Sequence, residues 1–201
     1  LNGEAYHHKP PLLFWLMHAG WSVFGVNEWW PRLVAPLFAL AALWGTARLS
    51  RLLWPDDDMA ASLAPVILVS ALFWSIFQTL TMFDMMLATC AVAGICGVLQ
   101  AWRQGGIAGW VITALAIGVG VLAKGPAILL HIVPVALFAP WWGRVLPGGP
   151  VKPLVSWRRW YLSLLASVLV GVAIALLWAI PAGIRGGAEY REMIFWGQSA
   201  G

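Results

Sequence analysis

The sequence predicts an all-α membrane protein that crosses the bilayer several times, and three observations support this. Of its 201 residues, 61% are hydrophobic and only 10% are charged, whereas a soluble domain carries about 25% charged residues. The apolar residues form runs close to the roughly 20 residues that a membrane-spanning helix needs. Many of the 15 tryptophans stand beside the ends of these runs, a position typical of membrane-interface tryptophans: Trp29, Trp30, Trp54, Trp102, Trp141, Trp142, Trp157 and Trp160.

Seven apolar segments can be marked in chain order. The first, residues 12–26, is short for a span and carries Trp15, His18 and Ser22 on one helical face, because residues three and four apart share a face. We predict that it lies in the membrane interface on the outer side; a short span is the alternative. Six spans are predicted after it, at residues 33–53, 60–78, 85–102, 106–123, 127–142 and 161–180.

The basic residues predict how the chain is oriented in the membrane. Loops after the second, fourth and sixth segments hold seven of the twelve Lys and Arg residues, and the positive-inside rule places these loops in the cytoplasm. Asp84, Lys124 and the tail from residue 182 then face outward together. The net charge of +4 is therefore no argument for a nucleic-acid partner. The seven residues are Arg48, Arg51, Arg103, Arg144, Lys152, Arg158 and Arg159.

The pattern indicates a single transmembrane domain over residues 1–201. We expect an outer loop and interfacial helix in 1–30, about six transmembrane helices in 31–181 and the start of an outer juxtamembrane segment in 182–201. Because the chain starts inside a loop without a Met, we expect a piece of a longer protein. Cys90 and Cys96 lie six apart in one apolar run and are interpreted as small buried hydrophobic residues.

A polar stretch before the first apolar segment holds the first candidate site residues. Lys9 directly precedes a double proline, which suits the first turn of a helix. The N-terminus of a helix attracts anions, so Lys9 is a candidate phosphate-binding residue; the alternative is a basic residue that anchors a helix to lipid headgroups. One of the adjacent His7 and His8, completed by Glu4 and Tyr6, is a candidate metal site, and the alternative is a solvated loop histidine.

Two ionisable residues stand at the ends of consecutive predicted spans. Asp84 begins one apolar run and Lys124 ends the next, and ionisable groups within the membrane are candidates for function. The structural alternatives are an N-cap for Asp84 and an ordinary helix-ending lysine before Gly-Pro for Lys124. Because both lie on the same side of the membrane, we expect them to pair or to share a ligand.

Other polar positions are assigned mainly structural roles. Glu28 and Arg32 are four apart and predict an ion pair at a helix start. His131 lies inside a span, where we expect a bond to a neighbouring helix. The outer segment from residue 182 interleaves charged and aromatic residues and predicts an amphipathic surface helix; its Arg191 is also a candidate substrate-binding residue.

Two stretches near the start carry a resemblance to a known family: GEAYHHKPPLLFWL at 3–16 and FGVNEW at 24–29. They resemble the start of bacterial ArnT-like glycosyltransferases, which belong to the same GT-C superfamily as the protein O-mannosyltransferases. TMFD at 81–84 and LAKGP at 122–126 fall where that family carries its Leu-Asp and Thr-Lys-Gly-Pro signatures. The resemblance implies a GT-C-like bundle with an outer juxtamembrane helix, and an enzyme that takes a sugar from a polyprenyl-phosphate carrier, generally with inversion.

The resemblance also implies roles for single residues. Lys9 matches the lysine that holds the carrier phosphate, with Tyr6 and Arg191 as further substrate-binding candidates. Asp84 and Lys124 take supporting catalytic roles, because the main catalytic acid of the family corresponds to a position before residue 1.

The cofactor and partners follow from the same resemblance. The family often has an acidic residue just before its lysine, implicated in metal binding, where this chain has His8. A divalent metal ion held by His8 and Glu4 is therefore the one cofactor expected. The implied partners are a polyprenyl-phosphate sugar donor, a lipid or protein acceptor and membrane lipids, with the active site on the outer face of the bacterial inner membrane.

A transporter or flippase of a lipid-linked substrate is the alternative function. Transporters place ionisable residues or broken helices near the middle of the bilayer in paired positions, whereas here the polar residues cluster at one membrane face. A third interpretation is a non-catalytic subunit of an envelope complex. The sequence contains no Walker, Rossmann or serine-nucleophile motif, so it offers no loop suited to a soluble nucleotide.

Overall fold

The computed structural model describes residues 10–150 and 153–187, and within these ranges the chain forms helices and no strands. This confirms the predicted all-α class. The helices are α1 (Leu12–Phe24), α2 (Trp29–Leu53), α3 (Asp58–Ser70), α4 (Leu72–Phe77), α5 (Asp84–Gln104), α6 (Ala108–Lys124), α7 (Ala127–Leu137), α8 (Ala139–Trp142) and α9 (Trp157–Arg185).

Three of these helices are long and apolar enough to cross a membrane unbroken: α2 with 25 residues, α5 with 21 and α9 with 29. The predicted span at 106–123 corresponds to α6, which is apolar but has only 17 residues. The two other predicted spans are each divided in the structure. The first becomes α3 and α4, separated at Ala71, whose backbone is extended (φ −69°, ψ 129°). The second becomes α7 and α8.

The break between α7 and α8 has a visible cause in Pro140. Proline has no backbone N–H, so it cannot donate to the carbonyl four residues earlier, which belongs to Ala136. In the structure the indole N–H of Trp160 donates to that carbonyl at 3.1 Å. A backbone group without a partner is costly inside a membrane, so a side chain of α9 compensates for the interruption of α7.

The core is formed where α5 packs antiparallel to α6 and both contact their neighbours. Gly97 and Gly109 allow the two backbones to touch, since a Cβ added at Gly97 would lie 2.6 Å from the Gly109 carbonyl oxygen. Small residues at such contacts are typical of membrane helix pairs. On the next seam, the Ser167 hydroxyl of α9 donates to the Trp110 carbonyl of α6 at 3.1 Å. Cys90 and Cys96 are buried and unpaired by disulfides, as predicted.

The position of α1 differs from that of the long helices. Its Leu13 is buried against Met86 and Ala123, near the start of α5 and the end of α6, and its Trp15 contacts Trp178 of α9 edge-on. Thirteen residues rise about 20 Å, less than the roughly 30 Å of a hydrocarbon core. This placement across the ends of several helices agrees with an interfacial helix, and its depth in the bilayer stays a prediction.

The bundle has two chemically different ends. One, the arginine-rich end, comprises the end of α2, the end of α5 and the starts of α6 and α9, and it carries Arg48, Arg51, Arg103, Arg158 and Arg159. The other, the ion-pair end, comprises α1, the start of α5 and the ends of α6 and α9.

The tryptophans at the arginine-rich end only partly fit an interface belt. Trp141 is 70% exposed, as a residue in contact with lipid would be, whereas Trp102 and Trp160 are 0% exposed. These two rings pack edge to face, and Trp110 packs on Trp160 in the same way. For Trp102 and Trp160 the interface prediction is therefore wrong, because the helices converge here closely enough to enclose them.

Candidate functional site

The candidate site begins with an ion pair between Asp84 and Lys124. Asp84 is the first residue of α5, and Lys124 is the last residue of α6. Gly125, with φ 78°, follows Lys124 as the C-cap of α6. Only residues 105–107 connect the two helices, so they run antiparallel and the start of one meets the end of the other. The Lys124 ammonium donates to the Asp84 carboxylate at 2.5 Å. The predicted pairing is confirmed.

The structure also decides between the cap and pair interpretations of Asp84. The N-cap position of α5 is occupied by Phe83, and no side chain accepts a capping hydrogen bond there. Asp84 instead lies in the first turn, where a carboxylate is favoured by the helix dipole, and its hydrogen bond goes to Lys124. The two side chains are 37% exposed for Lys124 and 27% exposed for Asp84, so a ligand can still reach them.

An apolar groove lies at the same end of the bundle, between α1, α6 and α9. Its volume is about 450 Å³, and its walls include Trp15 of α1, Leu122 of α6 and Trp178 of α9. Among the residues that the structure describes, Arg185 is the one charged residue of its lining. The groove therefore combines apolar walls with a cation, at the end of the bundle that holds the ion pair.

Sequence reasoning placed Arg185 only in a polar outer segment and did not find this groove. A local signal was present on α9, because Ile174, Trp178, Ala182 and Arg185 recur at helical spacing and so share one face. The other wall comes from Trp15, and nothing in the sequence pairs that residue with α9.

Five of the predicted site residues lie outside the described part of the chain, so the structure neither assembles nor separates them. They are Glu4, Tyr6, His8, Lys9 and Arg191. Within residues 10–150 and 153–187, no group of three or more His, Cys, Asp or Glu side chains is arranged to hold a metal ion. The metal prediction thus depends on Glu4 and His8.

Two further predictions concern the Glu28–Arg32 pair and His131. Glu28 accepts a hydrogen bond from Arg32 at 3.1 Å, which confirms that ion pair. For His131 we expected a bond to a neighbouring helix, and within the described residues the structure shows none. Its Nδ1 lies 2.9 Å from the carbonyl of Ala127, one turn earlier in the same helix, because the side chain is on an exposed face of α7.

Comparison with known proteins identifies the family to which this chain is similar. The profile of the family described as dolichyl-phosphate-mannose-protein mannosyltransferase matches residues 8–184. An undecaprenyl phosphate-alpha-4-amino-4-deoxy-L-arabinose arabinosyl transferase 1 of Pseudomonas fluorescens (strain Pf0-1) is 25% identical over 204 residues, which cover 96% of this chain and 32% of that protein. The transferase of Enterobacter sp. (strain 638) is 29% identical over 156 residues, covering 73% and 28% of the two chains.

The fold matches solved structures as well. The crystal structure of ArnT from Cupriavidus metallidurans bound to undecaprenyl phosphate superposes with a TM-score of 0.78 at 25% identity, covering 98% of this chain and 35% of that one. Its apo state gives a TM-score of 0.74 at 26% identity, covering 97% and 35%. The chain thus spans about a third of the length of the relatives it matches.

Proposed function

This chain belongs to the dolichyl-phosphate-mannose-protein mannosyltransferase family, and on that premise we propose that its protein is an integral membrane glycosyltransferase with a polyprenyl-phosphate sugar donor. The observation that carries this proposal is the apolar groove with Arg185, at the same end of the bundle as the Asp84–Lys124 pair. A polyprenyl phosphate needs apolar walls for its chain and cations for its phosphate. The names of the relatives, which are arabinosyl transferases acting with undecaprenyl phosphate, favour a pentose as the sugar.

In this proposal the cations act on the leaving group. Breaking the bond between the sugar and its carrier leaves negative charge on the phosphate, and positive groups placed there in advance lower the barrier. We assign this task to Lys9 and Arg185, with Tyr6 and Arg191 as further contacts of the substrate. The acceptor is a lipid or a protein hydroxyl.

Asp84 and Lys124 are proposed to position other groups. An inverting attack needs a carboxylate that takes the proton of the acceptor. The Asp84 carboxylate already accepts a hydrogen bond from the Lys124 ammonium at 2.5 Å, so we assign it a positioning role and not that of the base. The pair instead fixes the start of α5 against the end of α6, which keeps the adjacent groove wall in place.

The location and cofactor are part of the same proposal. The excess of arginine at the opposite end supports a bacterial inner-membrane protein with that end in the cytoplasm, so the groove faces outward. A divalent ion at Glu4 and His8 is proposed as well. Loss of sugar transfer on chelation with EDTA, and its return on adding a divalent metal, would support the ion.

The proposal is tested by sugar transfer in membranes that contain the protein. Radiolabelled sugar on polyprenyl-phosphate donors is offered to the wild type and to Lys9→Ala, Asp84→Asn and Arg185→Ala. We expect Lys9→Ala and Arg185→Ala to lose at least tenfold in rate, since each removes a charge-assisted contact of about 1.5–3 kcal/mol. Arg32→Ala is the matched control, because Arg32 pairs with Glu28 and does not line the groove.

Two outcomes would contradict the proposal. If the wild type transfers no sugar from any donor but moves the lipid across vesicle membranes, the protein is a transporter. If Arg185→Ala transfers as fast as Arg32→Ala, the groove does not hold the donor phosphate. Full activity of Asp84→Asn would remove Asp84 from the site and leave the rest unchanged.

A further inference from the structure

A second groove lies at the arginine-rich end, on the seam between α6 and α9. Its volume is about 350 Å³. Trp110 and Ser167 close its floor, and they are joined by the hydrogen bond from the Ser167 hydroxyl to the Trp110 carbonyl. The groove is separate from the candidate site, which lies at the opposite end of the same two helices.

The polarity of this groove changes along its length. At the mouth, Arg159 and Ser163 stand one turn apart on α9. Further along, the walls are apolar and include Val111, Leu115 and Val170. From Arg159 to Val170 the helix rises about 16 Å, which is close to half of the roughly 30 Å hydrocarbon core. The groove therefore has the length of one lipid leaflet, with its polar part near the start of α9.

The charge at the mouth has no counterpart within the described part of the chain. The ion pairs found there are Arg32–Glu28 and Lys124–Asp84, and neither involves Arg159. Two of the other arginines of this end are occupied, since Arg48 donates to the Gln100 side chain at 2.7 Å and Arg103 binds backbone carbonyls. A guanidinium beside a hydroxyl suits a phosphate group.

We propose that this groove binds one phospholipid with a negatively charged headgroup. The phosphate contacts Arg159 and Ser163, and one acyl chain lies along Val111 and Val170. Basic pockets between transmembrane helices bind anionic headgroups in this way, and anionic lipids are abundant in the cytoplasmic leaflet. Only the choice of leaflet depends on the proposed orientation; the binding does not depend on glycosyl transfer.

The charge favours a lipid over another protein segment as the occupant. An apolar helix without acidic residues, laid on the groove, would bury Arg159 without a partner, which is costly. An anionic lipid supplies both the apolar chain and the compensating charge.

The test is lipid binding by the detergent-purified protein, measured by its thermal unfolding. Phosphatidylglycerol and phosphatidylcholine with identical acyl chains are titrated separately, since a ligand that binds the folded state raises the unfolding temperature. We expect a larger rise with phosphatidylglycerol. Arg159→Gln should weaken its apparent affinity roughly tenfold, the effect of losing one charge-assisted hydrogen bond.

The neighbouring residue provides the matched control. Arg158 is exposed, as Arg159 is, but does not line the groove, so Arg158→Gln removes the same charge and should leave the affinity unchanged. Ala166→Trp places a large ring on the exposed lining and should weaken the binding of both lipids without altering the charge of the groove.

Three outcomes would overturn the proposal. An equal loss of phosphatidylglycerol affinity in Arg158→Gln and Arg159→Gln would mean that the lipid is attracted to a basic surface in general. Equal shifts with the two lipids in the wild type would mean that the groove does not select charge. Unchanged phosphatidylglycerol binding in Ala166→Trp would place the lipid elsewhere. Sugar transfer is not measured in any of these assays, so their failure leaves the proposed function untouched.

Discussion

The two ends of the bundle use their polar side chains differently. At the arginine-rich end, several indole and guanidinium groups bond to backbone carbonyls: Trp160 to Ala136 and Arg103 to residues in two separate segments. At the ion-pair end, the Trp30 indole of α2 likewise donates to the Leu16 carbonyl of α1, but Asp84 and Lys124 bond to each other and remain partly exposed. Both ends therefore join helices, and the second also leaves paired charges within reach of a ligand. The difference predicts that substitutions at the first end mainly lower stability and those at the second mainly lower activity.

Trp160→Ala should have the largest effect on stability. The ring is fully buried among other tryptophans, and such truncations cost about 3–5 kcal/mol. The carbonyl of Ala136 also loses its donor. Unfolding of the detergent-purified protein measures the loss, with Trp141→Ala as the control because that ring is 70% exposed at the same end. Equal losses in the two variants would show that this end is not held by its buried rings.

The contact of Trp160 with Ala136 could not be predicted from the sequence, whereas the long helices could. Predicted spans such as 33–53 and 161–180 correspond to α2 and α9, because the length of an apolar run is read directly from the chain. The sequence does not show where the 127–142 run divides, because Pro134 and Pro140 each remove a helical hydrogen bond and the helix breaks only at Pro140. Which helix then supplies the missing donor depends on a contact between α7 and α9.

The candidate site shows the same division between local and distant information. The Asp84–Lys124 pair could be predicted because two helices joined by three residues must return side by side. The groove could not, because its walls combine Trp15 with Trp178 and Arg185, and their contact follows only from the packing of α1 across the other helices.

Arg103→Gln should have the next largest effect. The guanidinium of Arg103 donates to Leu53 at 3.2 Å and to Pro147 at 2.7 Å, and it also bonds to the carbonyls of Leu52 and Gly148. It therefore caps the end of α2, whose last carbonyls lack helical donors, and ties it to the loop after α8. We expect a loss of about 2 kcal/mol, since hydrogen bonds to charged groups contribute about 1.5–3 kcal/mol.

Arg51→Gln is the matched control for this change. Arg51 lies in the last turn of α2 and is exposed, so its loss should alter stability by less than 0.5 kcal/mol, the usual range for surface substitutions. Similar losses for both arginines would mean that charge at this end, rather than the carbonyl contacts of Arg103, supports the fold.

The smallest effects are expected for the ion pairs of the opposite end, which differ from each other in exposure. In a double-mutant cycle with Asp84→Asn and Lys124→Met, we expect a coupling of about 1 kcal/mol, because the pair is short and only partly exposed. The Glu28–Arg32 pair is 87% and 72% exposed, and exposed helix pairs contribute about 0.3–0.5 kcal/mol. High salt should remove the second coupling and only reduce the first, since screening acts mainly on exposed charges. If the coupling free energy of Asp84 and Lys124 instead exceeded the stability lost in Arg103→Gln, this pair would stabilise the fold as strongly as Arg103 does. The two ends would then not differ in this respect, and any loss of sugar transfer in Asp84→Asn would have to be attributed to unfolding.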